Sequence, residues 1–193
     1  MSKNILFISE QKLKDSSMLS DNVDPKQLLP TVKAVQDRHV HTMLGTALYT
    51  KLQADVEAGT VTGDYKTLLD DYITDTLVWY TLSEMPMPLQ YKLINKGVVT
   101  RTGEAIQTVS FTEVQALMDY CRNWAQWYAQ RTIDYLCANS TKYPEYVNPG
   151  SASDTIHPDY TQYTCGIYLG PVKCNEGRTF EERYQGNGRH KCF

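Results

Sequence analysis

The sequence predicts a mainly α protein: a helical bundle of about four helices with a small β-hairpin insertion and an irregular C-terminal extension. Two stretches with apolar residues at helical spacing, Tyr65 to Tyr80 and Val114 to Leu136, carry the bundle. Between them, β-branched runs on either side of a Gly-containing turn carry the hairpin. Beyond Tyr146 no helical period is sustained, and that loss marks the extension.

Residues 1–23 are mixed and polar, with Ile5-Leu6-Phe7-Ile8 as their one apolar anchor, and read as a short extended arm. Asp24-Pro25 supplies a helix start, Asp as N-cap and Pro at the first helical position. Pro30 removes a donor five residues later and is expected to kink the helix or restart it there. Val32, Val35, Val40, Met43 and Leu44 then form an imperfect stripe that Gly45 interrupts. Ala47, Leu48, Leu52 and Val56 continue as a second short helix, stopped by Gly59.

Tyr65, Leu68, Leu69, Tyr72, Ile73, Thr76, Leu77 and Tyr80 repeat at i, i+3, i+4, i+7, the pattern of a helix with a buried face. Leu77-Val78-Trp79-Tyr80 leaves no polar side, so that end is expected to be buried all round. Met85-Pro86-Met87-Pro88 is expected to forbid continuation. Over residues 93–110, Gly97-Val98-Val99-Thr100 and Ile106-Gln107-Thr108-Val109 flank Arg101-Thr102-Gly103-Glu104, the proposed turn.

Ser110 and Glu113 stand at capping-box spacing ahead of the longest periodic stretch. Val114, Leu117, Met118, Cys121, Ala125, Tyr128, Thr132, Tyr135 and Leu136 trace one face of a helix from Thr112 to about Asn139, about 40 Å long. Trp124 and Trp127 widen its apolar band, and Cys121 and Cys137 read as small core residues. Residues 24–146 thus form the helical domain. The extension, 147–193, holds six glycines and three prolines, too many for a helix. Its charges balance, and it is either flexible or ordered by a partner.

At 193 residues and 22.0 kDa, the chain makes one good-sized domain or two very small ones. A hydrophobic share of 41% excludes wholesale disorder, and a net charge of -3 gives no basic excess for gripping a nucleic acid backbone. No apolar run reaches the roughly 20 residues that span a bilayer, and no signal-peptide core follows Met1. Five cysteines are an odd count, so reduced thiols in a cytoplasm are expected. Fourteen tyrosines against four phenylalanines suit either the edge of a core or surfaces buried on assembly.

No nucleophile elbow, phosphate loop or dinucleotide fingerprint occurs, so no catalytic residue and no cofactor is expected, and the chain does not read as an enzyme. His39 and His41 lie two apart in a helix, roughly 200° around its axis, and cannot aim at one ion. Asp70, Asp71 and Asp75 read as a charged outer face. Cys165, Cys174, His190 and Cys192 are the right residue types for a zinc site, but their spacing lacks the tight Cys pair that zinc sites use.

Taken in order, Asp24-Pro25-Lys26-Gln27-Leu28-Leu29, Leu44-Gly45-Thr46-Ala47-Leu48-Tyr49-Thr50-Lys51-Leu52, Tyr65-Lys66-Thr67-Leu68-Leu69-Asp70, Asn95-Lys96-Gly97-Val98-Val99 and Tyr143-Pro144-Glu145-Tyr146 resemble the helical head–tail connector (adaptor) proteins of tailed bacteriophages. The nearest likeness is to the branch in phages and prophages of Bacteroidetes, including neck ring proteins of crAss-like phages. It covers about residues 5–146.

The resemblance implies a homo-oligomeric ring, dodecameric to match the portal, in the virion neck at the head–tail junction and assembled in the bacterial host cytoplasm. Its partners would be the portal protein, the next neck or tail protein, and DNA passing without sequence-specific binding; no membrane is involved. A ring closes heterologous interfaces. One patch is expected on the Tyr65–Leu82 helix and one on the long helix, with Tyr72, Trp79, Tyr80, Trp124, Trp127 and Tyr128 at the subunit interface. In the extension, Tyr160, Tyr163, Ile167, Tyr168, Leu169 and Phe180 would dock the portal. On the hairpin, Lys96, Arg101 and Glu104 would line the channel or touch a neighbour. A stopper or tail-completion neck protein, or a non-viral cytosolic helical interaction module, would share the lack of catalytic motifs.

Overall fold

A computed structural model of the protein describes residues 5–95, 97–100, 110–148 and 155–158. These residues are mainly helical and form a helical bundle around one apolar core.

The N-terminal segment is not an extended arm. Ser9 caps a short helix α1 (Glu10–Asp15), its hydroxyl accepting from the Lys12 N–H at 3.2 Å. Phe7, Ile8 and Leu13 are buried in the common core. A wholly buried amide, Gln36, ties the segment down: its Oε1 accepts from the Phe7 N–H and its Nε2 donates to the Ile5 carbonyl, both at 2.9 Å. The sequence hid this tether because its two ends lie 31 residues apart.

Helix α2 (Pro25–Val35) begins at the Asp24 cap and continues past Pro30 without restarting there. Pro30 is exposed, and so is Lys26, whose carbonyl it deprives of a helical donor. The helix continues through a π turn (Gln36–Val40) into α3 (His41–Leu44). Gly45 then turns the chain at φ 76°, ψ 161°, a region open essentially to glycine alone, and α4 (Thr46–Ala58) ends at Gly59, which is left-handed at φ 67°.

Helix α5 (Gly63–Leu68), a second π turn (Leu69–Ile73) and α6 (Thr74–Glu84) make one rod. Helix α6 ends at Glu84, immediately before Met85-Pro86-Met87-Pro88, where the prolines are expected to stop it. Met85 N–H donates to the Thr81 carbonyl at 2.9 Å, Leu89 N–H donates to Met85 at 3.1 Å, and α7 (Pro86–Gln90) follows directly. Both prolines fall in its first turn, where N–H groups have no intrahelical partner.

Of the hairpin expected over residues 93–110, the turn at 101–104 and the run 106–109 lie outside the described residues. Strand β1 (Tyr91–Ile94) pairs antiparallel with β2 (Gly97–Thr100), Ile94 opposite Gly97 and Tyr91 opposite Thr100. Gly97–Thr100, read as a strand from the sequence, is a strand and pairs with the residues before it.

Helix α8 (Phe111–Ala138) opens with the capping box complete: Ser110 Oγ accepts from the Glu113 N–H, and Glu113 Oε2 accepts from the Ser110 N–H. It packs along α6, sealed by a buried contact of 3.2 Å between the Thr76 and Thr132 hydroxyls. A 3-10 turn (Ser140–Lys142) and α9 (Pro144–Val147) bring Tyr143 and Tyr146, both fully buried, into the core. Residues 155–158 return to the bundle, where Thr46 N–H donates to the Ile156 carbonyl at 3.0 Å.

Much of the tyrosine surplus works inside the chain. Tyr72 stacks on Tyr135 at 4.0 Å, and Tyr65 donates to Glu145 at 2.8 Å while Lys51 sits 4.8 Å over its ring. Burial pushes the Tyr65 and Tyr143 hydroxyls far above their ordinary range, and Tyr143 donates to the Asp64 carbonyl at 2.9 Å.

Candidate interaction surface

Helix α8 carries two apolar stripes. Met118, Cys121, Ala125, Ala129, Ile133 and Leu136 face the core, and the small alanines let α6 approach closely. A second stripe, Leu117, Tyr120, Trp124 and Trp127, recurs every three to four residues and stays open to solvent, Trp124 at 41% and Trp127 at 50% exposed. Trp79 of α6 leans into it, its ring 5.7 Å from Trp124 and 6.4 Å from both Tyr120 and Tyr128. Trp127 meets Trp124 at 6.4 Å and Tyr128 edge-on at 4.9 Å. The result is an aromatic ridge whose rings pack on one another and stay open to solvent.

Opposite charges border the ridge. Arg122 pairs with Asp119 at 3.3 Å. Arg131 reaches Asp75 at 4.0 Å and lies 4.8 Å from the Tyr72 ring, while Asp134 accepts from Gln130 at 2.9 Å. Burial raises the Asp75 carboxyl, Arg131 draws it back, and Asp71 adds to the rise. Asp70 and Asp71 themselves are exposed.

Of the six interface residues read from the sequence, Trp79, Trp124, Trp127 and Tyr128 come together in the ridge. Tyr72 stands apart from it, half-buried on Tyr135. Tyr80 is a correction: it is 4% exposed and stacks on His39 at 3.8 Å, because that side of α6 packs against α2 and its π turn. Nor does α6 offer a free patch beyond Trp79, since nearly every other residue along it is buried. Sequence reasoning missed Tyr120, although its spacing from Leu117, Trp124 and Trp127 was there to be counted.

A second apolar concavity lies between α2 and α7, about 350 Å³ in volume and walled by Pro30, Ala34, Val35, Met87 and Pro88. His39 lines it, its Nε2 shielded from solvent with no hydrogen-bond partner. Burial first, then the charges of Arg38 and Arg122, lowers His39 from 6.5 to about 4, so the ring is neutral at pH 7. Across the mouth Arg38 pairs with Glu84 at 3.6 Å.

His41 points elsewhere, stacked on Tyr49 at 4.4 Å with Nε2 3.0 Å from Thr46 Oγ1, so the two histidines share no site. Cys121 is buried, which raises its thiol, and Cys137 is half-buried; no group of three metal-ligating side chains occurs among the described residues. Among those residues no helix is long and apolar enough to cross a membrane. Lys96, Arg101 and Glu104, the docking set Tyr160, Tyr163, Ile167, Tyr168, Leu169 and Phe180, and the set Cys165, Cys174, His190 and Cys192 lie outside the described residues.

Residues 40–156 match the model of DUF6712, a family of unknown function. No curated protein and no solved structure gives a match.

Proposed function

We propose that this chain, which belongs to the DUF6712 family of unknown function, is a structural assembly subunit, a ring-forming head–tail connector of a tailed bacteriophage. The observation that carries the reading is the solvent-open Trp124–Trp127 ridge, braced by Trp79. Burying an aromatic side chain is worth about 1.5–3 kcal/mol before the costs of association are subtracted, so several rings together suit stable contact between large surfaces. The ordered motifs that resemble the connectors supply the more specific identity.

In this reading the ring sits in the virion neck, twelve copies matching the portal, and DNA passes through its lumen. The protein works by contact and not as an enzyme. The β1–β2 hairpin, with Lys96, and the segment holding Arg101 and Glu104 would face the channel or a neighbour. The extension, through Tyr160, Tyr163, Ile167, Tyr168, Leu169 and Phe180, would dock the portal and gain order on binding.

The test is co-expression with the portal protein of the source phage, followed by negative-stain electron microscopy of the purified complex. Added ring density on the tail-facing side of the portal is expected. A portal that purifies bare, with this chain unassociated, overturns the connector role. The docking role of the extension is tested by truncation after residue 158, since Ile156 and Pro158 are bound to the bundle. The truncated chain should stay folded and lose the portal; unimpaired attachment removes that assignment.

A further inference from the structure

Resting on the assembly reading above, we infer that the two apolar patches are the halves of one head-to-tail interface: the Trp124–Trp127 ridge of one copy seats in the groove between α2 and α7 of the next. A ring requires two unlike, complementary surfaces that are both open on every copy. The ridge and the groove meet that requirement because no residue is common to both. Trp79 and Tyr80, consecutive on α6, serve one each. Trp79 stacks into the ridge, and Tyr80 stacks behind His39 at the groove.

Shape and polarity agree. The groove, about 350 Å³, is in the size range of cavities that enclose small organic groups, and Pro30, Ala34, Val35, Met87 and Pro88 give it apolar walls. Met87, which lines the groove, is 39% exposed, a large apolar side chain that a seated indole would cover. Tryptophan is among the residue types enriched at the anchors of interfaces, where it fills a well-packed pocket.

Charge agrees as well. Arg38 and Glu84 stand at the groove mouth, and Arg131 and Asp134 flank Trp127. Each patch therefore offers one cation and one anion. A seated copy sets Arg38 against the neighbour's aspartate and Glu84 against its arginine, which fixes orientation at the rim more than it adds affinity.

The experiment is sedimentation velocity on the full chain over a concentration series, with circular dichroism to verify folding. The ridge variant is Trp124→Ser with Trp127→Ser. The groove variant is Ala34→Arg, at an exposed position of α2, with Met87→Glu as an independent second. Wild type should self-associate, and each variant alone should do so at least tenfold more weakly. An equimolar mixture of ridge and groove variants should recover association that stops at the dimer, because that pair retains a single intact interface. A mixture that stays monomeric overturns the inference. So does a groove variant that assembles like wild type, which would leave the assembly reading standing with the ridge meeting some other surface. A wild type that is monomeric throughout also overturns it, and the portal complex then decides the connector role separately.

Discussion

Thr46 and Ile156, 110 residues apart, hydrogen-bond each other twice: the Thr46 N–H donates to the Ile156 carbonyl at 3.0 Å, and the Ile156 N–H donates to Thr46 Oγ1 at 2.9 Å. The contact straps the chain beyond α9 across the α3–α4 elbow, with buried Pro158 against Gly45.

Gly45→Ala should therefore be far more harmful than Gly59→Ala. At Gly45 an alanine would take a backbone conformation costing about 1–3 kcal/mol, and its Cβ would fall 2.8 Å from two Pro158 ring carbons. At Gly59 nothing lies within 4 Å, and only the left-handed strain of about 1 kcal/mol remains. Urea denaturation of the two variants measures the difference, and equal losses would refute the strap's role. Hydrogen exchange at the Ile156 amide should accelerate in the Gly45 variant alone.

Trp124 and Ala125 are neighbours with opposite expected behaviour. Trp124→Ser should cost at most about 1 kcal/mol of folding stability, since the ring is 41% exposed and packs on other rings at the surface. Ala125→Leu should cost about 1–3 kcal/mol, because Ala125 is fully buried where α8 meets α6. Thermal melts that rank them the other way would overturn the assignment of the two stripes.

His39 should make stability fall with acid. Its folded value is depressed to about 4 from 6.5, so between these values the unfolded chain binds the extra proton. The stabilisation is complete above about 6.5 and is lost as pH falls through about 4. His39→Phe keeps a ring against Tyr80 and should flatten the pH dependence of stability across that window. An unchanged slope would show that other groups carry it.

Ser110→Ala should release Glu113. The Ser110 hydroxyl and backbone N–H hold that carboxyl below its ordinary value, so the contribution is present above the ordinary carboxylate range and lost as pH falls through the lowered value. In the variant, NMR titration should find Glu113 nearer its ordinary value and the first turn of α8 less protected from exchange.

Local rules made the rods legible: Asp24 with Pro25, Gly59 and the Ser110–Glu113 pair mark helix ends in the sequence and in the fold. What escaped was contact at long range or context. Gln36 reads as a polar residue in a poor helical stripe, yet it clasps residues about thirty positions earlier and is wholly buried. Pro30 looked like a break, yet α2 runs on past it, because the harm of a proline depends on where the carbonyl it orphans lies. On the ridge, Trp124 and Trp127 stood out by residue type, while Tyr80 misled: periodicity shows that a ring faces a neighbour, not that the neighbour belongs to the same chain.

The π turns at Gln36–Val40 and Leu69–Ile73 each act as a phase shift in a screw. His41 and Thr74 donate five residues back, to Gln36 and Leu69, and the Thr74 hydroxyl donates to that same Leu69 carbonyl at 2.8 Å. One surplus residue is lodged in each rod, so side chains past it stand about 100° from where an unbroken α-helix would put them. Before the second shift Tyr65 addresses Glu145; after it Thr76 addresses Thr132 and Trp79 reaches the ridge. Removing a single surface residue there, such as Asp70, would set the two halves of that rod in conflict, and one of its two appointments would have to be abandoned.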